Sequence, residues 1–235
     1  PLRAIFGYGF TTPYVSMTNL VSNTGVVASD VAGVGTARGY LAATTYGGNK
    51  ASFAYGFNGS SNLSMSNKVS ITGVVASDVG GVGTARRGLA AAGYGEDKGI
   101  FGYGYTTGGV SVSNLVSNTG VIASDTGGVG TARETLAATS YGTDKAIFGY
   151  GSPTYSMTNL VSNTGVVAAD VTGVGTGRHN LAAAGYSTDK AIFGYGFNNV
   201  AKLSLTNLVS NTGVVASDTT GVGTARTTLA AAKVG

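Results

Sequence analysis

Ala146-Ile147-Phe148-Gly149-Tyr150-Gly151 is the stretch on which the reading turns, because the same six positions return as Ala4–Gly9, Ala51–Gly56, Gly99–Gly104 and Ala191–Gly196. Successive starts lie 47, 48, 47 and 45 residues apart. Self-similarity at such a period marks a repeat architecture, in which each unit must stack on its neighbours to bury its apolar faces. A second marker, Gly-Val-Gly-Thr-Ala-Arg, ends at Arg38, Arg86, Arg133, Arg178 (with Gly177 in place of Ala) and Arg226. Leu-Ala-Ala follows at Leu41, Leu89, Leu136, Leu181 and Leu229. The chain is five copies of one unit.

Each unit reads as four short strands. The Leu-Ala-Ala strand ends in a hairpin turn such as Gly142–Lys145, which leads into the Ala-Ile-Phe-Gly-Tyr-Gly strand. A polar loop precedes a third strand around Ser16–Asn23, and Asn-Thr-Gly turns the chain into a fourth over Val26–Asp30. No window carries apolar residues at helical spacing. Apolar neighbours such as Ile5-Phe6 and Leu20-Val21 point to opposite faces of a strand, so both faces must be covered. Sheets stacked face to face around an axis meet that need. The small residues of the first strand, such as Ala90-Ala91-Ala92, suit the crowded centre.

The ends are in register with each other. Leu229-Ala-Ala-Ala-Lys-Val-Gly235 followed by Pro1-Leu-Arg-Ala-Ile-Phe6 matches Leu181–Phe193 in length. The expectation is an all-β, closed five-bladed β-propeller of four-stranded blades of about 47 residues, with residues 1–235 as a single domain. Its last blade takes strands from both termini. With Pro1 rather than Met at its start, the chain reads as a processed product or an excised piece.

Composition narrows the function classes. The sequence holds 40 Gly, only 10% charged residues, 43% hydrophobic residues and no Cys. Enough apolar residues are present for a core, the glycines lack a collagen period, and thiolate chemistry and cysteine metal sites are excluded. No apolar run reaches the roughly 20 residues of a membrane-crossing helix. Fourteen Lys and Arg against ten Asp and Glu give a net charge of +4, distributed one or two cations per repeat, which argues against a nucleic-acid interface.

The pattern Gly-Thr-Ala-Arg133, Leu136-Ala-Ala, Lys145-Ala-Ile-Phe-Gly-Tyr-Gly151, Thr158-Asn-Leu-Val161 resembles the kelch repeat in all five units. Two departures stand: Gly-Tyr-Gly replaces the kelch glycine pair, and the late tryptophan is absent because the chain has no Trp. The short Gly/Thr/Asn-rich units are also similar to repeats in uncharacterised environmental viral and bacterial proteins. That resemblance implies an adhesion or fibre setting, extracellular or virion-associated.

The candidate ligand-binding residues are repeated sets. Asp30, Asp78, Asp125, Asp170 and Asp218 each stand eight residues before Arg38, Arg86, Arg133, Arg178 and Arg226. They read either as charged pockets or as Asp–Arg joints in or between blades. Tyr8, Tyr55, Tyr103, Tyr150 and Tyr195 form an aromatic set that suits a lectin-like pocket or a blade interface. Tyr46, Tyr94, Tyr141 and Tyr186 form a second, broken in the fifth unit by Val234. The loops Thr11–Tyr14, Asn58–Asn62, Thr106–Val110, Ser152–Tyr155 and Asn198–Lys202 differ most between copies, as a ligand-contacting rim would.

Catalytic candidates are sparse. His179 is single, Glu96 and Glu134 are unrepeated, and no carboxylates have calcium-loop spacing. The Gly-Val-Gly-Thr-Ala-Arg segment lacks the Gly-Lys-Ser/Thr ending of a phosphate loop. The sequence reading is a non-enzymatic, monomeric ring that binds glycans or another cell-surface ligand multivalently, with no cofactor, metal, nucleic acid or membrane insertion. The alternative is a purely structural module of a fibre or virion, or an engineered or excised repeat array.

Overall fold

The computed structural model describes residues 4–233. Those residues are all-β, with fourteen strands in five antiparallel sheets. β1 (Ala4–Phe10) and β2 (Tyr14–Val21) form the first sheet. β3 (Ala42–Tyr46), β4 (Lys50–Phe57) and β5 (Asn62–Val69) form the second, and β6 (Ala90–Tyr94), β7 (Lys98–Gly102) and β8 (Ser113–Val116) the third. β9 (Ala137–Tyr141), β10 (Lys145–Gly151) and β11 (Tyr155–Val161) make the fourth, and β12 (Ala182–Tyr186), β13 (Lys190–Phe197) and β14 (Lys202–Val209) the fifth.

The anticipated fourth strand is an irregular edge. Val27 and Val31 make isolated bridges to Val21 and Thr18, so four residues on the edge span three on β2. The surplus residue breaks the ladder as a bulge does. The Asn19 side chain takes the place of the missing bond, donating from Nδ2 to the Ala28 carbonyl at 3.1 Å and to Asp30 Oδ1 at 2.7 Å. The same spacing recurs at Val75/Val79 opposite Val69/Ser66 and in the later units.

Alanine on the first strands permits close approach. β3, β6, β9 and β12 lie side by side in order, and Ala43, Ala91, Ala92 and Ala138 face a shared cavity of about 420 Å³. Two lines of backbone bonds cross these strands from sheet to sheet. At one end Gly88, Thr135, Asn180 and Thr228 each donate N–H to the carbonyl of the preceding member, beginning with Tyr40, at 2.7–2.9 Å. All five residues have φ between 51° and 61°. At the other end Gly47, Gly95 and Gly142 donate to the carbonyls of Asp97, Asp144 and Asp189 in the next unit's turn, at 2.6–2.7 Å.

The core lies between sheets. Phe101, Phe148 and Phe193 are fully buried, each with its ring edge against Tyr55, Tyr103 or Tyr150 of the preceding unit at 5.2–5.5 Å between centroids. The middle glycine of the repeated motif makes room. A Cβ on Gly102 or Gly149 would sit 2.7 or 2.6 Å from the ring of Phe148 or Phe193.

The two ends of the series differ from its middle. The first sheet has two strands, and Leu229–Lys233 forms none; Leu229 and Ala230 instead line one cavity with Ala183 and Ile192 of β12 and β13. Val234 and the Gly235/Pro1 turn expected to join the termini fall outside the described residues.

Candidate functional site

The Tyr-Gly step of every unit, preceded by Gly in four units and by Ala54 in the second, carries the same left-handed tyrosine. The register of β1 against β2 slips between Gly7 and Gly9, leaving Tyr8 as a bulged residue at φ 64°, and the tyrosines of the other units have φ of 63–65°. A left-handed tyrosine is uncommon and costs local energy. It is held here because the bulge aims the ring out of its sheet and under the arginine of the link that leads to the next unit.

That arginine is the hub. The guanidinium groups of Arg38, Arg86, Arg133 and Arg178 lie 4.1–4.2 Å above the rings of Tyr8, Tyr55, Tyr103 and Tyr150. All four arginines are buried, at 0–1% exposure. Burial of a charge is tolerable only when its donors are occupied. In Arg86, Nε donates to the Tyr103 carbonyl at 2.7 Å, Nη1 to the Thr84 carbonyl at 3.0 Å, and Nη2 to Asn114 Oδ1 at 2.7 Å. Arg133 and Arg178 repeat that set with Tyr150, Thr131 and Asn159 and with Tyr195, Thr176 and Asn207. Arg38 makes the two Nη bonds, but its Nε has no acceptor.

The carboxylate in each joint comes from the following unit. Arg38 lies 3.8 Å from Asp78 rather than pairing with Asp30, and Arg86, Arg133 and Arg178 lie 3.8–4.0 Å from Asp125, Asp170 and Asp218. At that separation the pair is coulombic rather than bidentate. Asparagine is the coupler: Asn67 accepts from Arg38 and donates to Asp78, as Asn114, Asn159 and Asn207 do in turn, with Asn–Asp distances of 2.9–3.0 Å. Thr36, Thr84, Thr131 and Thr176 complete the joint, each donating its N–H and hydroxyl to the same aspartate. The signal for these asparagines and threonines is their recurrence in the Asn-Leu/Lys-Val and Gly-Val-Gly-Thr segments of every unit, which the Tyr, Arg and Asp sets alone do not contain.

Protonation follows from this packing. Burial pushes the phenols of Tyr103 and Tyr150 up to about 12, against the pull of Arg133 and Arg178. Burial lowers the buried guanidinium groups from their ordinary value, opposed by the stacked tyrosine and the aspartate. For Asp125, burial acts upward but is outweighed by Thr84, Asn114 and Arg86, so its carboxyl lies below the usual range; Asp78, Asp170 and Asp218 behave alike.

The series ends in two unfilled halves of this joint. Among the described residues, Asn19 and Asp30 bond each other at one end and receive no arginine; at the other Arg226 is exposed, 3.8 Å over Tyr195, with one bond to the Thr224 carbonyl. A Cβ on Gly35, Gly83, Gly130 or Gly175 would strike the aspartate of the following unit, whereas one on Gly223 would meet only the Tyr195 hydroxyl, at 3.9 Å. The second tyrosine set behaves the same way. Tyr46, Tyr94 and Tyr141 are buried against Gly120, Gly165 and Gly213 of the next unit, while Tyr186 is only half-buried and nothing approaches Gly25.

No family model matches the chain, and no curated protein matches it. The likeness to kelch repeats therefore stands on the strand pattern alone.

The loops that vary between units all join the second and third strands, at one end of the sheets, and they touch across units. Asn62 Nδ2 donates to the carbonyls of Tyr105 and Thr106 at 3.3 and 3.2 Å, and Asn199 Nδ2 to that of Pro153 at 3.0 Å. Aromatic residues follow the Tyr-Gly step in four units, as Phe10, Phe57, Tyr105 and Phe197, and border these loops. His179 is half-buried with Nε2 2.9 Å from Asn199 Oδ1. Glu134 is half-buried, and burial raises its carboxyl, opposed by Arg87 and His179. Glu96 is an exposed turn residue with φ 69°. Among the described residues no three His, Cys, Asp or Glu side chains converge as a metal site.

Proposed function

We propose that the chain closes into a five-bladed β-propeller and acts as a non-enzymatic, multivalent binding module for glycans or another surface-borne ligand. The observation that carries this reading is the division of labour within each unit. In the four complete joints the repeated Arg, Tyr and Asp side chains are used up between sheets, so ligand contacts fall to the loop end, where the units differ and where aromatic and amide side chains are gathered. Five related loop sites held in one ring gain avidity on a dense surface without any single strong contact.

Closure is supported by the complementarity of the two ends. Arg226 lacks the acceptor that Asn19 offers, Tyr186 lacks the glycine seat that Gly25 offers, and Phe6 is exposed where Phe53, its counterpart in the next unit, is buried. Among the described residues, the line of backbone bonds from Tyr40 to Thr228 leaves the N–H of Tyr40 and the carbonyl of Thr228 without a partner, and a ring would join them. Leu229–Ala232 would then supply the missing strand beside β1.

A second reading, a structural ring in a fibre or virion, is favoured by the burial of the joints themselves. A glycan array probed with the whole chain separates the two. Retention that free sugar reverses, and that loop substitutions such as Asn58→Ala weaken while Asn114→Ala acts only through stability, supports the binding module. Silence across the array, with the chain folded, supports the structural ring.

A further inference from the structure

At the position after the joint arginine the units carry Gly39, Arg87, Glu134, His179 and Thr227, so Arg87 is the single permanent cation in that set. Its guanidinium lies 4.6 Å over Phe57 and 4.9 Å over Tyr105, in the notch between two units. Nη1 donates to Asn62 Oδ1 at 3.3 Å, and Asn62 is itself anchored to the neighbouring loop. Two rings and an amide thus orient a half-buried arginine that makes no ion pair among the described residues. The buried joint arginines have an aspartate at hand; this one faces the loop end with donors to spare. Glu134 is the carboxylate that bears on it, from beyond Gly88 and without reaching ion-pair distance. Beside the notch, Tyr14 packs its ring 6.0 Å from Phe57, and exposed Phe10 lies 4.9 Å from Tyr14, forming an apolar wall.

A planar cation held by two aromatic faces keeps its guanidinium edge for a bidentate anion. We propose that Arg87, with Asn62 and the Phe57–Tyr14 wall, is a single asymmetric site for an acidic pyranose, a uronate whose carboxylate sits on Arg87 and whose C–H face lies against the wall. The site rests on the glycan-binding reading above and sharpens it: one of the five loop positions selects for negative charge.

The test is ligand-observed NMR on the whole chain with methyl β-glucuronide, methyl β-glucoside and acetate. The expected result is glucuronide binding at one site per chain, with affinity about tenfold above the glucoside and weakened by salt. Arg87→Gln should erase that preference while the chain stays folded by circular dichroism. Asn62→Ala, which frees the guanidinium without removing it, should weaken glucuronide binding but keep the preference. Absence of glucuronide binding at millimolar concentration, a preference unchanged in Arg87→Gln, or acetate binding equal to glucuronide each overturns the proposal. Array retention that survives Arg87→Gln, for uronates as for neutral glycans, overturns this site and leaves the multivalent reading standing. Glucuronide binding in solution with a silent array does the reverse.

Discussion

At the scale of single residues, the joint is a charged group made tolerable by completeness. Arg86 stays buried because Tyr103, Thr84 and Asn114 occupy its donors while Tyr55 covers its face. Removing one acceptor leaves an unpaired buried donor, so Asn114→Ala should destabilise the chain by about 2–3 kcal/mol, read from urea unfolding. The tyrosines provide a spectroscopic check. In an alkaline titration followed by tyrosinate absorbance, Tyr103 and Tyr150 should ionise near 12. Their folded values lie above the ordinary 10, so the stability they carry is whole below pH 10 and drains away as pH rises toward 12. The four joint aspartates act oppositely. Their depressed carboxyls stabilise the fold above the ordinary value of 3.8 and lose that contribution as pH falls through the folded values. Acid unfolding should therefore set in below about pH 4, and Asp125→Asn should blunt its pH dependence.

At the scale of elements, glycine placement and one surplus residue decide the shape of each sheet. Gly102 lies in β7 under the Phe148 ring, which a Cβ would meet at 2.7 Å. Gly102→Ala should cost about 1–3 kcal/mol by overpacking, measured as a lowered urea midpoint with an unchanged slope. The open turn glycine Gly48, with nothing near it, should cost less despite its φ of 73°. The edge segment falls short of the expected fourth strand for a physical reason. Val26–Asp30 has the residues of a strand, but its count does not match β2, and the Asn19 amide fills the gap. Strand propensity is visible in a single segment. Ladder register depends on two, and here a side chain substitutes for a backbone bond.

At the scale of the whole molecule, the two half-joints set a sharp expectation. If they meet, Asn19 holds Arg226 as Asn114 holds Arg86, and Asn19→Ala should cost as much as Asn114→Ala. A chain whose ends stay apart should lose less than about 1 kcal/mol at Asn19, since its amide then serves only Ala28 and Asp30. Deleting residues 229–235 gives a second measure. Loss of closure should broaden unfolding from one cooperative step into several, because sheets that contact only their neighbours melt separately. The same deletion should also make association concentration-dependent in sedimentation, since a free half-joint finds its complement in another copy.

The five-fold repeat, the all-β class and the Tyr–Arg–Asp inventory of the joint are legible in the chain alone, because period, alternation and turn glycines are local properties. The tertiary structure decided which of those residues meet. Asp30 and Arg38 are eight residues apart in every copy of the pattern, yet Arg38 reaches across to Asp78 and Asn67, since a stacked unit presents its edge to its neighbour and not to its own link. It also decided that the bulged tyrosine lies under a cation, and that unrepeated Arg87 sits between two rings at the loop end. Those placements follow from stacking geometry between sheets, which no window of one unit contains.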